Sequence, residues 1–219
     1  MRLVAVSQRV DFHPARNERR DALDQRLAQW LKAAGLLTAP VPNLFESQEE
    51  LDAWLDGMAP AAVVLSGGND LGEAPERDRT EALLIEHAAR KNLPLLGICR
   101  GMQMMLVHGG GKLQQIDNHV AVRHDLHPES SGSAPWPGTV NSFHRWGTLE
   151  VPVGYAVLAR AEDGSIEAVR HESLPWEGWM WHPERETAFR PADIHRLQQL
   201  IGNAIEPIPG CAPPLRKQP

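Results

Sequence analysis

Of the two cysteines in this 219-residue chain, only one has the neighbours that a nucleophile needs. Cys99 lies in Gly97-Ile98-Cys99-Arg100-Gly101-Met102-Gln103, directly after the apolar run that begins at Leu93 and ahead of Met104, Met105 and Leu106. A nucleophile on a sharp strand-to-helix turn needs small residues two positions to either side, because the backbone passes close to itself and is held in a strained conformation. Gly97 and Gly101 meet that demand. At the N-terminus of the following helix the macrodipole favours thiolate over thiol, and backbone N–H groups face the reacting carbonyl. The same residues also fit a buried structural cysteine between two turn glycines. Cys211, in a proline-rich stretch without a nearby histidine, reads as a bystander.

A thiolate nucleophile needs a base, and the base needs an orienter. Trp181-His182-Pro183-Glu184 offers both, since residues two apart on an extended segment point to one side and Pro183 keeps His182 out of the helical region. Glu184 can then bond one ring nitrogen of His182 while the other faces Cys99; taken alone, the segment also fits a surface turn. An oxyanion needs donors, and Ser66-Gly67-Gly68-Asn69-Asp70 follows a buried apolar run where open parallel sheets bind ligands. Gly67 or Gly68 can present a bare N–H there and Arg100 the second, although a plain Gly-Gly turn has the same sequence.

These residues need a parallel sheet to bring them together, and the patterning supplies one. Leu3 to Val6, Ala61 to Leu65 and Leu93 to Ile98 read as short strands, the last two buried on both faces. Between them Leu23, Leu27, Trp30, Leu31 and Ala34 recur at helical spacing, and Gly35 falls where a helix would end. Residues 16 to 32 read as one salt-bridged amphipathic helix. Ser47-Gln48-Glu49-Glu50 carries a capping-box pattern ahead of Leu51, Trp54, Leu55 and Met58, and a further helix runs from about Arg79 to Lys91. Alternation of this kind predicts an α/β fold: a flavodoxin-like open parallel sheet flanked by helices.

Residues 112 to 150 are rich in Pro, Ser, Gly and His and read as loops with short antiparallel strands. Further strands are expected at Thr139 to Asn141, Tyr155 to Arg160, Ile166 to Arg170 and Trp179 to Trp181, forming a small antiparallel extension before a last helix carrying Ile194 to Ala204. One domain spanning 1–205 and a loosely held proline-rich tail at 206–219 are expected.

Composition excludes several classes of function. Apolar residues make up 42% and charged residues 23%, an ordinary globular mixture. Lys plus Arg total 22 against 28 Asp plus Glu, and no block of like charge forms a basic face, so nucleic acid is not an expected partner. The first apolar run is too short for a signal-peptide core and no stretch approaches ~18 apolar residues, so a soluble, cytoplasmic protein with no membrane partner is expected. His119, His124 and His127, at spacings of five and three, put no clear pair on one face of a regular element, and no carboxylate cluster completes a ligand pattern. Neither a metal nor another cofactor is expected. Trp136, Trp146 and Trp176 lie in the loop-rich half, where some read as core and one or two could stack on a ring-bearing substrate.

In combination, four blocks resemble a known family: Ser66-Gly67-Gly68-Asn69-Asp70, the Gly97 to Gln103 elbow, Val140-Asn141-Ser142-Phe143-His144, and Trp181-His182-Pro183-Glu184. Together they are similar to the class I glutamine amidotransferase-like superfamily, and within it to the γ-glutamyl hydrolase, peptidase C26-like branch. The resemblance implies a Cys99, His182, Glu184 triad and an oxyanion hole near Gly68 and Arg100. It also implies Gly67 and Gln103 at the glutamyl group, with Asn141, Ser142, Phe143 and His144 lining its α-carboxylate end. The stretch from Ser7 to Asn43 resembles a subgroup tied to surface-polysaccharide loci, whose members include a hydrolase of γ-glutamyl-CDP-amidate. A self-contained hydrolase of a small-molecule γ-glutamyl amide is therefore expected. The alternatives are a glutaminase subunit passing ammonia to a separate synthase partner, and a non-enzymatic binding relative.

Overall fold

The computed structural model describes residues 1–129 and 136–203; the tail at 206–219, with Cys211, lies outside the described residues. The chain begins with β1 (Arg2–Ser7), a hairpin of β2 (Arg9–His13) and β3 (Glu18–Ala22), α1 (Gln25–Ala33) and β4 (Leu36–Val41). Then come α2 (Gln48–Met58), β5 (Ala62–Leu65), α3 (Pro75–Lys91), β6 (Leu95–Ile98) and α4 (Arg100–His108). The loop-rich half contributes β7 (Gln114–Gln115), β8 (Val120–Asp125), β9 (His127–Pro128), β10 (Thr139–Phe143) and β11 (Trp146–Gly147). It closes with β12 (Tyr155–Arg160), β13 (Ile166–His171), β14 (Trp176–Trp179) and α5 (Pro191–Asn203).

One eight-stranded sheet, in the order β4-β1-β5-β6-β14-β13-β12-β9, organises the molecule. The first five strands of that order are parallel and the last three add antiparallel. Strand alternation divides the core in two. Val4, Val6, Ala62, Val64, Leu96 and Ile98 face α1 and α5, whereas Ala5, Val63, Leu65 and Leu95 face α2, α3 and α4. All four residues of β5 and of β6 are buried, as strands covered on both faces must be. Pro40 is tolerated within β4 because that strand is the sheet edge, where a missing N–H leaves no neighbour unpaired. Among the described residues no helix is long and apolar enough to cross a membrane.

The sequence reading needs correction at three places. Residues 16 to 24 do not belong to the first helix: Glu18 to Ala22 pair with Arg9 to His13 as a hairpin, turning at Pro14–Arg16 and Asn17 (φ 48°). The charges there are spaced for strands, with Arg20 bonded to Glu18 across one pleat and Arg19 reaching Glu76. The helix starts only where the Asp24 carboxylate accepts the Arg26 N–H at 2.9 Å. Secondly, α3 begins a turn before Arg79, at Pro75, whose missing N–H costs nothing in a first helical turn. Thirdly, β14 occupies Trp176–Trp179 instead of Trp179–Trp181, which leaves Trp181 to lead into the His182 turn. Trp176 is accordingly a core residue, its indole N–H donating to the Leu93 carbonyl at 3.1 Å, not a covering side chain.

If Asp24 is the residue that starts α1, Asp24→Ala should lower stability by about 1 kcal/mol in urea unfolding. An unchanged midpoint would mean that the helix begins upstream.

Candidate active site

At the end of β6 the chain makes the elbow that its glycines imply. Cys99 takes φ 51° and ψ −107°, a conformation that costs a non-glycine residue of order 1–3 kcal/mol and needs a rigid surround. That surround is close-packed backbone. A Cβ on Gly101 would lie 2.2 Å from the Leu65 carbonyl oxygen, and one on Gly97 would lie 2.6 Å from both the Gly101 carbonyl carbon and the Met102 nitrogen. The Cys99 N–H donates to the Trp179 carbonyl at 2.7 Å, and the Cys99 carbonyl accepts the Gln103 N–H at 3.1 Å to start α4. Strand, elbow and helix are thus joined without a spare residue, and Cys99 stands at the helix N-terminus.

His182 faces Cys99 from the end of β14. Its Nδ1 lies 2.7 Å from Glu184 Oε1, with both side chains nearly fully buried. A 3-10 turn at Pro183–Arg185, not the extended run expected from the sequence, folds the carboxylate back onto the ring. Asn141 fixes the backbone at that point: its amide donates to the His182 carbonyl at 2.8 Å and accepts the His182 N–H at 2.9 Å. Phe143 meets the ring edge-on with centroids 5.8 Å apart. On another side only glycine fits, since a Cβ on Gly67 would lie 2.6 Å from His182 Cε1.

Proton affinities follow from this packing. Burial alone would raise the Cys99 thiol, but the charge and hydrogen bond of His182, with smaller pulls from His144 and Arg185, hold it below the usual thiol range. Burial would likewise discharge His182, yet the negative Cys99 and Glu184 outweigh it and push the imidazole up to about 9. The pair therefore favours thiolate and imidazolium.

Beneath the site lies a charged cluster that no local motif announced. Arg77 is fully buried and donates to the carbonyls of Ser66 (2.7 Å), Gly67 (3.1 Å) and Gly68. Glu81, also fully buried, takes Arg77 at 3.0 Å and the Ser7 hydroxyl at 2.8 Å. Arg100 points down to pair with Glu81 and Asp78, so only its backbone is left to serve the elbow. Burial lowers both guanidinium groups to about 9. By collecting three consecutive carbonyls on one side, Arg77 fixes which way the Ser66-to-Gly68 loop faces.

A cavity of about 370 Å³ opens above these groups, lined by Gly68, Cys99, Arg100, Gln103, Phe143, His144 and His182 together with Asn69, Arg145 and Arg185. Gly67 lines an adjoining cavity of about 290 Å³ with Arg9 and Asp11 of the hairpin. Gln103 donates to the Trp146 carbonyl at 2.8 Å. Asn141 and Ser142 are buried behind the wall: Asn141 is committed to His182, and the Ser142 hydroxyl donates to the His119 carbonyl at 2.8 Å. The histidine spacing concealed a further cluster, because the fold packs His119 and His124 against Glu167 of β13, with ligand atoms within 4.8 Å of one another.

The sequence profile of the family described as Peptidase C26 matches residues 2–184. Over 182 residues the chain is 30% identical to a glutamine-hydrolyzing GMP synthase subunit of Thermococcus kodakarensis, a match covering 81% of this chain and 92% of that one. It is 33% identical over 139 residues to the gamma-glutamyl-CDP-amidate hydrolase of Campylobacter jejuni, covering 61% of this chain and 66% of the relative. In fold it is similar to a Thermoplasma acidophilum structure described as a GMP synthase subunit, with TM-score 0.70 at 22% identity over 93% of this chain and 94% of that one.

Alkylation by iodoacetamide as a function of pH tests the electrostatics of the pair. Cys99 should react with a midpoint below the ~8.5 of a free thiol, and His182→Ala should move that midpoint upward, because burial is then opposed only by the smaller pulls of His144 and Arg185. A midpoint that His182→Ala leaves in place would contradict the coupling.

Proposed function

The chain belongs to the Peptidase C26 family, among glutamine amidotransferase-like hydrolases, and on that premise we propose that it hydrolyses a γ-glutamyl amide through a thioester on Cys99. The observation that carries this reading is the strained elbow, which holds Cys99 against the buried His182–Glu184 pair at the floor of an open cavity. The Cys99 thiolate attacks the δ-carbonyl carbon, and the oxyanion that forms is met by backbone N–H groups of Gly68 and Arg100. His182 passes its proton to the leaving nitrogen as the C–N bond breaks. Water then enters, gives a proton back to His182 and cleaves the thioester, releasing glutamate and restoring the thiolate. Glu184 keeps its charge throughout and holds the imidazole in register.

Gln103, Phe143 and His144 line the end of the cavity assigned to the glutamyl group. Asn141 and Ser142 are reassigned from substrate contact to support, since their polar atoms are spent on the backbones of His182 and His119. The leaving group is assigned to the hairpin side, where Arg185 borders both cavities and Arg9 and Asp11 line the second. Arginines there suit an anionic leaving group, and the name of the Campylobacter jejuni relative supports a phosphoramidate nucleotide of the γ-glutamyl-CDP-amidate type, handled in the cytoplasm. The second reading, a glutaminase subunit serving a separate synthase, is favoured by the Thermococcus kodakarensis relative.

Two measurements test this proposal. The isolated protein should turn over γ-glutamyl conjugates with a much higher kcat/KM than glutamine, because contacts to the larger leaving group contribute in the transition state. Poor activity on every conjugate, with glutamine hydrolysis that rises many-fold on adding cell extract, would establish the partnered reading instead. Glu184→Gln should keep the fold and lower turnover by ~10²-fold or more. Wild-type turnover in that variant would refute the role given to the carboxylate.

A further inference from the structure

Four side chains from separate parts of the chain converge behind the cavity wall, and the reaction uses none of their inward-facing atoms. His119 precedes β8, His124 lies on it, His144 follows β10 and Glu167 lies on β13. Glu167 is fully buried, and neither carboxylate oxygen has a hydrogen-bond partner among the described residues. A buried carboxylate left in that condition is strongly disfavoured unless a cation meets it. His119 Nδ1 stands 3.2 Å from His144 Nε2 and 3.5 Å from Glu167 Oε1, and His144 Nε2 stands 3.4 Å from the same oxygen. Such a triangle matches one face of a tetrahedral site, since ligands about 2.1 Å from a zinc ion lie about 3.4 Å from one another. His124 Nε2, also without a hydrogen bond among the described residues, is 3.6 Å from Glu167 Oε2, and the ligand atoms of His119, His124 and Glu167 lie within 4.8 Å of one another.

The outer ring nitrogens carry the argument further. His119 Nε2 lies 3.1 Å from Asp163 Oδ2, and His144 Nδ1 lies 3.1 Å from the Trp146 carbonyl oxygen. Both partners can only accept, so each outer nitrogen bears a proton. Without an ion an inner nitrogen carries one too, since His119 Nδ1 and His144 Nε2 share a hydrogen bond and, against the effect of burial, Glu167 raises the His144 imidazole; a bound metal would displace that inner proton. Ser142 gives its hydroxyl proton to the His119 carbonyl at 2.8 Å, and its Oγ lies 3.3 Å from His119 Nδ1. With that inner proton displaced, two imidazole lone pairs and a carboxylate oxygen would face one another, with a carboxylate and a carbonyl behind the rings, the arrangement that orients histidines toward a metal.

We propose that His119, His124, His144 and Glu167 bind a divalent transition metal, zinc by its imidazole and carboxylate donors, as a closed structural site. Because His144 lines the catalytic cavity and the Trp146 carbonyl holds Gln103, the ion fixes that wall from behind and takes no part in bond breaking.

The test uses tag-free full-length protein in a Cys99→Ala background, which removes the thiolate as a competing ligand. Metal-stripped protein is dialysed against zinc chloride, and bound zinc is measured by plasma mass spectrometry beside the thermal midpoint. One zinc per chain and a raised midpoint are expected, with Glu167→Gln and His124→Ala each losing the stoichiometric ion. If Glu167→Gln fails to fold, His124→Ala decides, since that ring sits at the edge of the cluster and is partly exposed. Substoichiometric uptake by the parent protein, or undiminished uptake by a folded variant, would overturn the proposal and leave protons alone holding the cluster together.

Discussion

The left-handed backbone at Cys99 is the constraint from which the rest of the site follows. A non-glycine residue at φ 51° persists only where its neighbours leave no alternative, and here β5, β14 and the first turn of α4 press on it from three sides. The elbow projects the Cys99 side chain up into the cavity and sends the next one, Arg100, down into the protein. A guanidinium buried there demands acids, and Asp78 and Glu81 of α3 supply them. Glu81 in turn holds Arg77, whose remaining N–H groups gather the carbonyls of the Ser66-to-Gly68 loop. The strain at one residue and the orientation of a loop on the neighbouring strand are thus linked through four charges, three of them buried and the fourth, Asp78, partly exposed. Removing one partner would leave another charge buried and unpaired, which is far more damaging than never having had the pair.

What was legible in the sequence was local. The elbow and the His-Pro-Glu segment announce themselves because their chemistry depends on spacings of two residues, and the buried strands do so because both faces are apolar. The hairpin at Arg9 to Ala22 was not legible: alternating charges on exposed strands look like the polar face of a helix, and only the cap at Asp24 marks the true start. Arg77 and Asp78 lie ahead of the helix expected from about Arg79 and carry no motif, yet α3 begins at Pro75 and turns them, with Glu81, toward the elbow. Glu167 carries no local signal, because its partners lie between 23 and 48 residues away and meet it only where the β8–β10 ribbon packs against β13.

The division of the cavity bears on how one fold serves different members of this family. Cys99, His182 and the loop above Arg77 are built from the sheet and its crossovers. The side we propose for the leaving group is lined in part by the β2–β3 hairpin, which lies outside the main sheet. Relatives named for glutamine hydrolysis and for γ-glutamyl-CDP-amidate hydrolysis are the outcome such a division allows.

Capture of the covalent intermediate addresses the central claim most directly. The protein is mixed with a turned-over γ-glutamyl conjugate, quenched in acid within the first turnover, digested, and read by mass spectrometry. A peptide containing Cys99 should carry the mass of one glutamyl group, in a form that hydroxylamine removes and that is missing from Cys99→Ala. Substrate consumed with no such adduct, or an adduct on any other residue, would contradict the account.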